Sequence, residues 1–269
     1  MTGGPRRLGA AAVAAALLLA AAPVASAADE LRAIPTRPGV TQSFLLVRPV
    51  ARPVAAVVLF AGGNGALHLG GRRLGLVGNF LVRNRARFAE HGLLVAVVDS
   101  PSDRPAGLDG FRTSAAHADD VRAVIAALRG EGVGAVWLVG TSMGTVSAAN
   151  AAVRLAGADG PDGLVLSSTV TREGRERPES VGDVRLKSIR VPTLVVHHRQ
   201  DACRATPYAD TPGLLRDLAS APRRELLSFD GGASPQSAPC EARSAHGYLG
   251  LDAEVVAAIA KWITTAGPR

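Results

Sequence analysis

The sequence has few aromatic residues and no long stretch of basic ones. Aromatic side chains make up 4% of its 269 residues, and its formal net charge is +7 at neutral pH. The arginines are interspersed with acidic residues, as in the segment 172–177, so they form no basic stripe. Proteins that bind nucleic acids need a basic surface, commonly with aromatic side chains on which bases stack. The composition therefore argues against a nucleic acid as a partner.

The sequence also lacks a hydrophobic run long enough to cross a membrane. An uncharged run rich in Ala and Leu covers residues 8–22, which is shorter than the roughly 20 residues of a spanning helix. Arg6 and Arg7 precede it, and the small-x-small pattern Ala-Ser-Ala that follows ends at Ala27. These features predict a signal peptide over residues 1–27 and export to the periplasm or the cell exterior. The arginine pair leaves the twin-arginine export route open beside the general one.

Cleavage would leave residues 28–269, which we expect to form a single domain without a membrane span. Removing the two leader arginines takes the formal charge from +7 to +5. Hydrophobic residues make up 47% of the chain, enough for one full core at this length. No cysteine follows the apolar run closely, so lipid attachment has no acceptor thiol.

Cysteine is scarce, since Cys203 and Cys240 are the only two. Two cysteines do not complete the coordination shell of a metal ion, so we expect no metal site. In an exported protein a disulfide between them is the default expectation, because the compartment lets such a bond persist. Two buried free thiols are the alternative.

Short apolar runs rich in β-branched residues predict six strands, each bounded by turn-forming residues. They lie at residues 54–60, 93–98, 135–139, 163–166, 193–196 and 225–229. Several are apolar throughout, which is typical of strands covered on both faces of a parallel sheet. A more alternating stretch at residues 43–48 predicts an antiparallel edge strand.

Segments of helical length separate the predicted strands. They lie at residues 77–91, 113–129, 143–155, 214–220 and 253–265. The alternation predicts an α/β fold, an open and mostly parallel sheet with helices on both faces and a ligand site beyond the carboxyl ends of the strands. The polar segment 169–190 is too short for a multi-helix lid, so we expect no large lid and an open cleft.

A Gly-x-Ser-x-Gly pentapeptide, Gly140-Thr141-Ser142-Met143-Gly144, stands between a predicted strand and a predicted Ala-rich helix. In this context the glycines allow a sharp turn that presents a serine above the sheet, and Ser142 is therefore the candidate nucleophile. The backbone N–H of Met143 would face an oxyanion at the N-terminus of the helix. A glycine-rich turn that arose by chance or for packing is the alternative, and the strand-turn-helix context argues against it.

On this motif and its context the chain resembles the α/β-hydrolase superfamily, over essentially all of residues 28–269. The resemblance implies the order Ser, acid, His along the chain. Asp201 follows the predicted strand at 193–196 and is the candidate acid, with a surface Asp or helix cap as the alternative. His246, the only histidine after Asp201, is the candidate base. His197 and His198 precede the acid and are less favoured.

Two further features bear on this site. The segment 230–245 before His246 is long for a strand-to-helix connection, and a bridge between Cys203 and Cys240 would tie the acid loop to the base loop. The glycine-rich segment 61–65 fits the loop that supplies the second oxyanion donor, from the N–H of Gly63 or Asn64. A nucleotide-binding loop is the rival interpretation of this segment, but the segment lacks both the Lys-Ser/Thr ending of a phosphate loop and the full spacing of the dinucleotide-binding motif.

Charged residues after the strand at 93–98 are secondary candidates. Asp99 and Asp103 would lie at the edge of the cleft, where they would shape substrate binding or replace the acid. For Arg104, Arg112 and His117 we expect a solvated loop and helix surface. Contact with an anionic substrate is the alternative.

These expectations combine into a secreted serine hydrolase that acts through a Ser-His-Asp triad and an acyl-enzyme, without a cofactor. Small-molecule carboxyl esters are the default substrates. A serine peptidase or amidase with the same machinery is one alternative, and a non-catalytic relative that binds a ligand is another.

Overall fold

The computed structural model describes residues 1–4, 29–174 and 179–265. The predicted signal peptide, including Arg6, Arg7 and the cleavage site after Ala27, therefore lies outside the described residues apart from its first four. Within the described ranges no helix is both long and apolar enough to pass through a membrane.

The described strands form one eight-stranded sheet in the order β1-β2-β4-β3-β5-β6-β7-β8. Strands β1 and β2 run antiparallel to their neighbours, and β3 to β8 are parallel to one another. Their bounds are β1 Asp29–Arg37, β2 Val40–Val47, β3 Ala55–Phe60, β4 Leu93–Val98, β5 Val136–Thr141, β6 Gly163–Ser167, β7 Thr193–His198 and β8 Arg224–Phe229.

Helices connect the parallel strands. The α-helices of the described residues are α1 Phe80–Arg83, α2 Arg85–Glu90, α3 Ala115–Gly130, α4 Gly144–Arg154, α5 Thr211–Asp217 and α6 Asp252–Thr265. Short 3-10 helices lie at Gly157–Asp159, Val181–Asp183, Leu186–Ser188, Tyr208–Asp210 and Ala245–Gly247.

The sheet separates two hydrophobic clusters, because successive side chains of a strand point to opposite faces. In β3, Val58 contributes to the cluster that includes buried residues of α3 and α4. Val57 and Leu59 contribute to the other cluster, with α1, α2 and α6. Both faces of the central strands are covered, which explains why those segments are apolar throughout. The predicted mostly parallel sheet with helices on both faces is confirmed.

The six predicted parallel strands are present, but the expectation that residues 43–48 form an edge strand is wrong. This stretch belongs to β2, and β1 lies outside it at the edge. Strand β1 was not predicted because its residues are mostly exposed and polar, so its position rests on pairing with β2 and not on an apolar pattern.

Two helix boundaries also differ from the expectation. The predicted helix at 77–91 is divided into α1 and α2 at Asn84, whose side-chain amide donates to the Phe80 carbonyl at 2.9 Å and to Asp252 Oδ1 at 2.5 Å. Helix α5 begins at Thr211, ahead of the predicted start at 214, with a proline in its first turn, a position where proline is favoured.

The polar segment 169–190 forms no lid in its described part. Its ordered elements outside residues 175–178 are two 3-10 helices of three residues each. Such short elements cannot cover a substrate site as a multi-helix insertion does. The prediction of a fold without a large lid is confirmed.

Candidate active site

Ser142 lies in a sharp turn between β5 and α4. Its φ is +52°, a left-handed conformation that is uncommon for a residue with a side chain and that is characteristic of strained functional turns. The N–H of Ser142 donates to the Ser167 carbonyl at 3.0 Å, and the N–H of Thr145 donates to the Ser142 carbonyl at 2.9 Å. The turn is therefore held both by the neighbouring strand and by the first turn of the helix.

The two glycines of the pentapeptide are required by close backbone packing. A Cβ atom at Gly140 would clash with the backbone of Gly144, and one at Gly144 would clash with the carbonyl of Phe60. On the other side of the turn, a Cβ at Gly62 would lie only 2.9 Å from the Cβ of Ser142. Helix α4 and the loop after β3 consequently approach the serine as closely as glycine permits.

Asp201 and His246 form a buried hydrogen-bonded pair. Asp201 follows β7, His246 lies in the 3-10 helix after β8, and the His246 Nδ1 to Asp201 Oδ2 distance is 2.9 Å. Asp201 is 8% exposed and His246 is 5% exposed. Asp201 also accepts hydrogen bonds from the N–H of Cys203 and the hydroxyl of Thr206, each at 2.9 Å.

These contacts decide the charge of the Asp201 side chain. Burial alone would raise the pKa of Asp201, but the hydrogen bond and charge of His246 outweigh it, with help from Cys203 and Thr206, so its pKa is lowered. The carboxylate is thus ionised near neutral pH and able to orient the imidazole ring.

The loop that contains His246 is held by three residues that the sequence did not indicate. Ser168 Oγ donates to the His246 carbonyl at 2.8 Å, and the buried Tyr248 hydroxyl donates to the Val196 carbonyl at 2.9 Å. Arg83 Nη2 donates to the Gly247 carbonyl at 2.6 Å. Tyr248 directly follows the 3-10 helix of His246, but no local signal connects Ser168 or Arg83 to this loop, because their contacts span long sequence separations.

Ser142 and His246 line one cavity of about 410 Å³. Glycine and apolar side chains make up most of the wall, and its other lining residues are Gly62, Gly63, Leu76, Gly78, Asn79, Phe80, Thr141, Cys240, Glu241, Ala242 and Gly247. In the part of the chain that the structure describes, no hydrogen bond joins the Ser142 and His246 side chains. Such contacts are often loose before a substrate binds.

The three residues predicted to supply oxyanion donors differ in their position relative to the cavity. Gly63 lines the cavity with a φ of +61°, and Met143 is buried directly after the serine. Asn64 does not line the cavity; its side-chain amide donates to the Ala106 carbonyl at 3.1 Å, and its backbone carbonyl accepts from the Leu108 N–H at 2.8 Å. Of the two candidates in this loop, Gly63 is the one at the cavity wall.

The expectation of a solvated surface is wrong for Arg112. This side chain is fully buried. Its Nη2 donates to the Gly63 carbonyl at 3.0 Å and its Nη1 to Ser147 Oγ at 2.7 Å. A buried guanidinium is tolerated because it is hydrogen-bonded, and here it connects the Gly63 loop to helix α4.

The expectation is also wrong for His117, which is 2% exposed. Its ring packs against those of Phe60 and Phe111. Burial, followed by the charge of Arg112, lowers the pKa of His117 to about 3, so the ring is neutral near neutral pH.

The acidic residues after β4 have structural contacts. The Asp99 carboxylate accepts from the N–H groups of Leu67 at 2.6 Å and Leu69 at 2.8 Å, and Asp103 pairs with Arg37 at 2.9 Å. Neither lines the cavity of Ser142, and the carboxylate bonded to His246 is that of Asp201.

The remaining candidates also lie away from the cavity wall. The guanidinium of Arg104 lies over the ring of Phe111, 4.5 Å from its centroid. His197 and His198 are buried at the end of β7 and do not line the cavity. In the described ranges no group of three or more His, Cys, Asp or Glu side chains is arranged to hold a metal ion.

The predicted disulfide is present between Cys203 and Cys240, and the alternative of two free thiols is wrong. Cys203 is in the loop of Asp201, and Cys240 lines the cavity in the loop that leads to His246. The bond links the two loops directly.

Comparison with solved structures places this architecture among known folds. It is similar to a proline iminopeptidase from Mycobacterium smegmatis, at 16% identity over 88% of this chain and 98% of that chain, with a TM-score of 0.60. It is similar to esterase 2 of Thermogutta terrifontis, at 18% identity over 92% and 98% of the two chains, with a TM-score of 0.60. No family model and no curated protein matches the sequence.

A third similar structure is a Xanthomonas campestris serine hydrolase described as lacking a lid. It shares 16% identity over 90% of this chain and 94% of that chain, with a TM-score of 0.54. At such low identity the likeness concerns the fold. The chain has the α/β-hydrolase fold, which is a fold of hydrolytic enzymes and of relatives with other functions.

Proposed function

We propose that this protein is a serine hydrolase that cleaves carboxyl esters through Ser142, His246 and Asp201. The observation that carries the proposal is the buried Asp201–His246 pair, 2.9 Å apart, beside a cavity whose wall also contains Ser142 in a strained turn. A nucleophile on such a turn, a base and an orienting acid are the parts that acyl transfer requires.

The proposed reaction begins when His246 Nε2 takes the proton of Ser142 Oγ and this oxygen attacks the ester carbonyl carbon. The N–H groups of Met143 and Gly63 stabilise the negative charge that develops on the carbonyl oxygen. His246 then gives its proton to the leaving alcohol, which departs as an acyl-enzyme forms. Water, deprotonated by His246, attacks the acyl-enzyme and releases the acid. Asp201 stays ionised and holds the imidazole throughout.

The shape of the cavity supports small or exposed esters as substrates. At about 410 Å³ it is in the range of pockets for small molecules, and its mostly apolar wall suits an acyl chain. Amide hydrolysis by the same residues is the second candidate, and the Mycobacterium smegmatis proline iminopeptidase has the same fold. Matched p-nitrophenyl ester and p-nitroanilide substrates separate the two activities.

The decisive experiment compares wild type with Ser142→Ala on p-nitrophenyl acetate and butyrate. We expect kcat/KM to fall at least about 10³-fold, because the covalent step is lost. Ser188→Ala, at an exposed serine that does not line the cavity, is the matched control. Equal rates for wild type and Ser142→Ala would refute the proposal in favour of a non-catalytic binding protein.

Active-site labelling provides an independent test. The Thermogutta terrifontis esterase has been captured phosphoramylated by tabun, so a fluorophosphonate probe is a suitable reagent. We expect the probe to label wild type and Ser188→Ala, and to leave Ser142→Ala unlabelled. Labelling mapped to another serine would contradict the assignment of the nucleophile.

We also propose that the protein acts outside the cytoplasm, on the strength of the leader sequence and the disulfide. In an expressing bacterium we expect the exported protein to begin at Ala28 when its N-terminus is sequenced. A cell-associated protein that still begins at Met1 would overturn this.

A further inference from the structure

Among the described residues, the wall of the cavity contains one acidic side chain, Glu241, and no lysine or arginine. The remaining lining residues are glycines, apolar side chains and a few neutral polar groups, besides His246. A charge beside apolar walls acts on a bound molecule with less screening than it would in open water. Glu241 is itself exposed, so water screens its charge in part, but it is the charge that a substrate meets on the described wall of this cavity besides His246.

One local hydrogen bond reaches the Glu241 carboxylate, and another is accepted by the backbone carbonyl of this residue. Its Oε2 accepts from the Ala238 N–H at 3.2 Å, and its backbone carbonyl accepts from Ser244 Oγ at 2.8 Å. The preceding residue, Cys240, is bonded to Cys203. These contacts hold the loop segment that carries Glu241, five residues before His246 in the sequence.

No cation neutralises this charge among the described residues. Glu241 takes part in no ion pair there, and the neighbouring Arg243 directs its guanidinium to Gln236, with Nε 3.0 Å from Oε1. Arg83, which also contacts this loop, pairs with Asp252 at 2.7 Å. The carboxylate keeps one oxygen without a hydrogen bond in the part of the chain described, so it is open to a positively charged group of a ligand.

We propose that Glu241 makes the enzyme selective for esters that carry a positive charge, such as a quaternary or protonated amine, close to the scissile bond. This inference rests on the proposed ester hydrolysis. An ammonium group would pair with Glu241 while the ester carbonyl lies at Ser142, whereas an ester with a carboxylate at the same place would be repelled. The enzyme should therefore distinguish positively charged from negatively charged esters more strongly than their difference in size explains.

The test uses substrates of equal shape that differ in charge. The acetate ester of 2-(trimethylammonio)ethanol and its carbon analogue, 3,3-dimethylbutyl acetate, differ by one charge on the alcohol side. Glycine p-nitrophenyl ester and p-nitrophenyl propionate differ by an ammonium group in place of a methyl group on the acyl side. For each pair the ratio of kcat/KM, charged over uncharged, is measured in wild type and in Glu241→Gln.

We expect Glu241→Gln to lower this ratio about fivefold for at least one pair. A fivefold change corresponds to the loss of about 1 kcal/mol, which is typical of a partly exposed charge pair. Added salt should reduce the ratio in wild type and leave it unchanged in the variant. Glu254→Gln removes the same charge from the exposed first turn of α6, and it should keep the ratio of wild type.

Two failures are distinguishable. If p-nitrophenyl acetate is hydrolysed in a Ser142-dependent way but both ratios are the same in wild type and Glu241→Gln, the charge preference is refuted and ester hydrolysis stands. If no ester is hydrolysed in a Ser142-dependent way, the proposed function itself fails. An equal fall in the ratio for Glu254→Gln would show a general charge effect and would also refute the role of Glu241.

Discussion

The disulfide between Cys203 and Cys240 joins the loop of Asp201 to the loop of His246, with 4.5 Å between the two Cα atoms. Cys203 also donates its N–H to Asp201 at 2.9 Å. The covalent link and the hydrogen bond thus both involve Cys203, and both restrict the position of Asp201 relative to His246.

Removing this bond should affect both stability and turnover. The bridge spans 37 residues, and the double variant Cys203→Ser/Cys240→Ser should lose about 4 kcal/mol of unfolding free energy because the unfolded chain is no longer constrained. Denaturant unfolding measures this loss. We also expect a lower kcat/KM under conditions where the variant is folded, since His246 is held less firmly. If the folded variant has the kinetics of wild type, the disulfide contributes to stability and not to turnover.

The Asp201→Asn variant tests the role of the acid. Asparagine keeps the acceptor for the Cys203 N–H but removes the charge, and it favours the wrong tautomer of His246, so kcat should fall on the order of 10⁴-fold with little change in KM. Steady-state ester kinetics measure the effect. Asp230→Asn, at an exposed position that pairs with Arg199, is the control. A fall of less than tenfold for Asp201→Asn would contradict the triad.

Arg112 is a positioning residue, because it donates to the Gly63 carbonyl and reaches Ser147 on helix α4. In Arg112→Lys a point charge replaces the planar fork and cannot span both acceptors. We expect kcat to fall about 10- to 100-fold from displacement of the Gly63 N–H, with a smaller change in KM.

Two measurements keep the Arg112 prediction testable if the lysine variant folds poorly. Ser147→Ala retains the bond to Gly63, and it should lower kcat less than Arg112→Lys does. Circular dichroism identifies the fraction of folded protein. If folded Arg112→Lys has the kcat of wild type, the guanidinium does not position the loop.

His117 should make the protein less stable in acid. Its pKa is about 3 in the folded protein and near 6.5 in the unfolded chain, so between these values only the unfolded chain binds the proton. Stability is therefore complete above about pH 6.5 and is lost as the pH falls towards 3, by up to about 5 kcal/mol from this residue.

Unfolding free energies measured between pH 7 and pH 4 should decline less steeply in His117→Leu than in wild type. The exposed His91 offers the control His91→Gln, which should keep the slope of wild type. Parallel slopes for wild type and His117→Leu would show that the ring is not the buried group that titrates.

The sequence alone determined the parts of this protein that depend on local pattern. Apolar runs predicted the parallel strands because burial on both faces leaves no polar position. The Gly140–Gly144 motif predicted the turn at Ser142 because its two glycines permit a backbone packing that other residues would block. The resemblance to the α/β-hydrolase superfamily, which implies the order Ser, acid, His, indicated Asp201 and His246, and the structure brings their side chains within 2.9 Å of each other.

Only the tertiary structure decided the features that depend on contacts between distant segments. The polarity of Arg112 and His117 predicts a position on the surface, yet both side chains are buried. Arg112 is hydrogen-bonded to Gly63 and Ser147. The ring of His117 packs against aromatic rings. Strand β1 is defined by its pairing with β2 and not by its exposed side chains. The place of Glu241 in the same cavity wall as Ser142 likewise arises only in the folded chain, since no local pattern encodes the proximity of residues so far apart in the sequence.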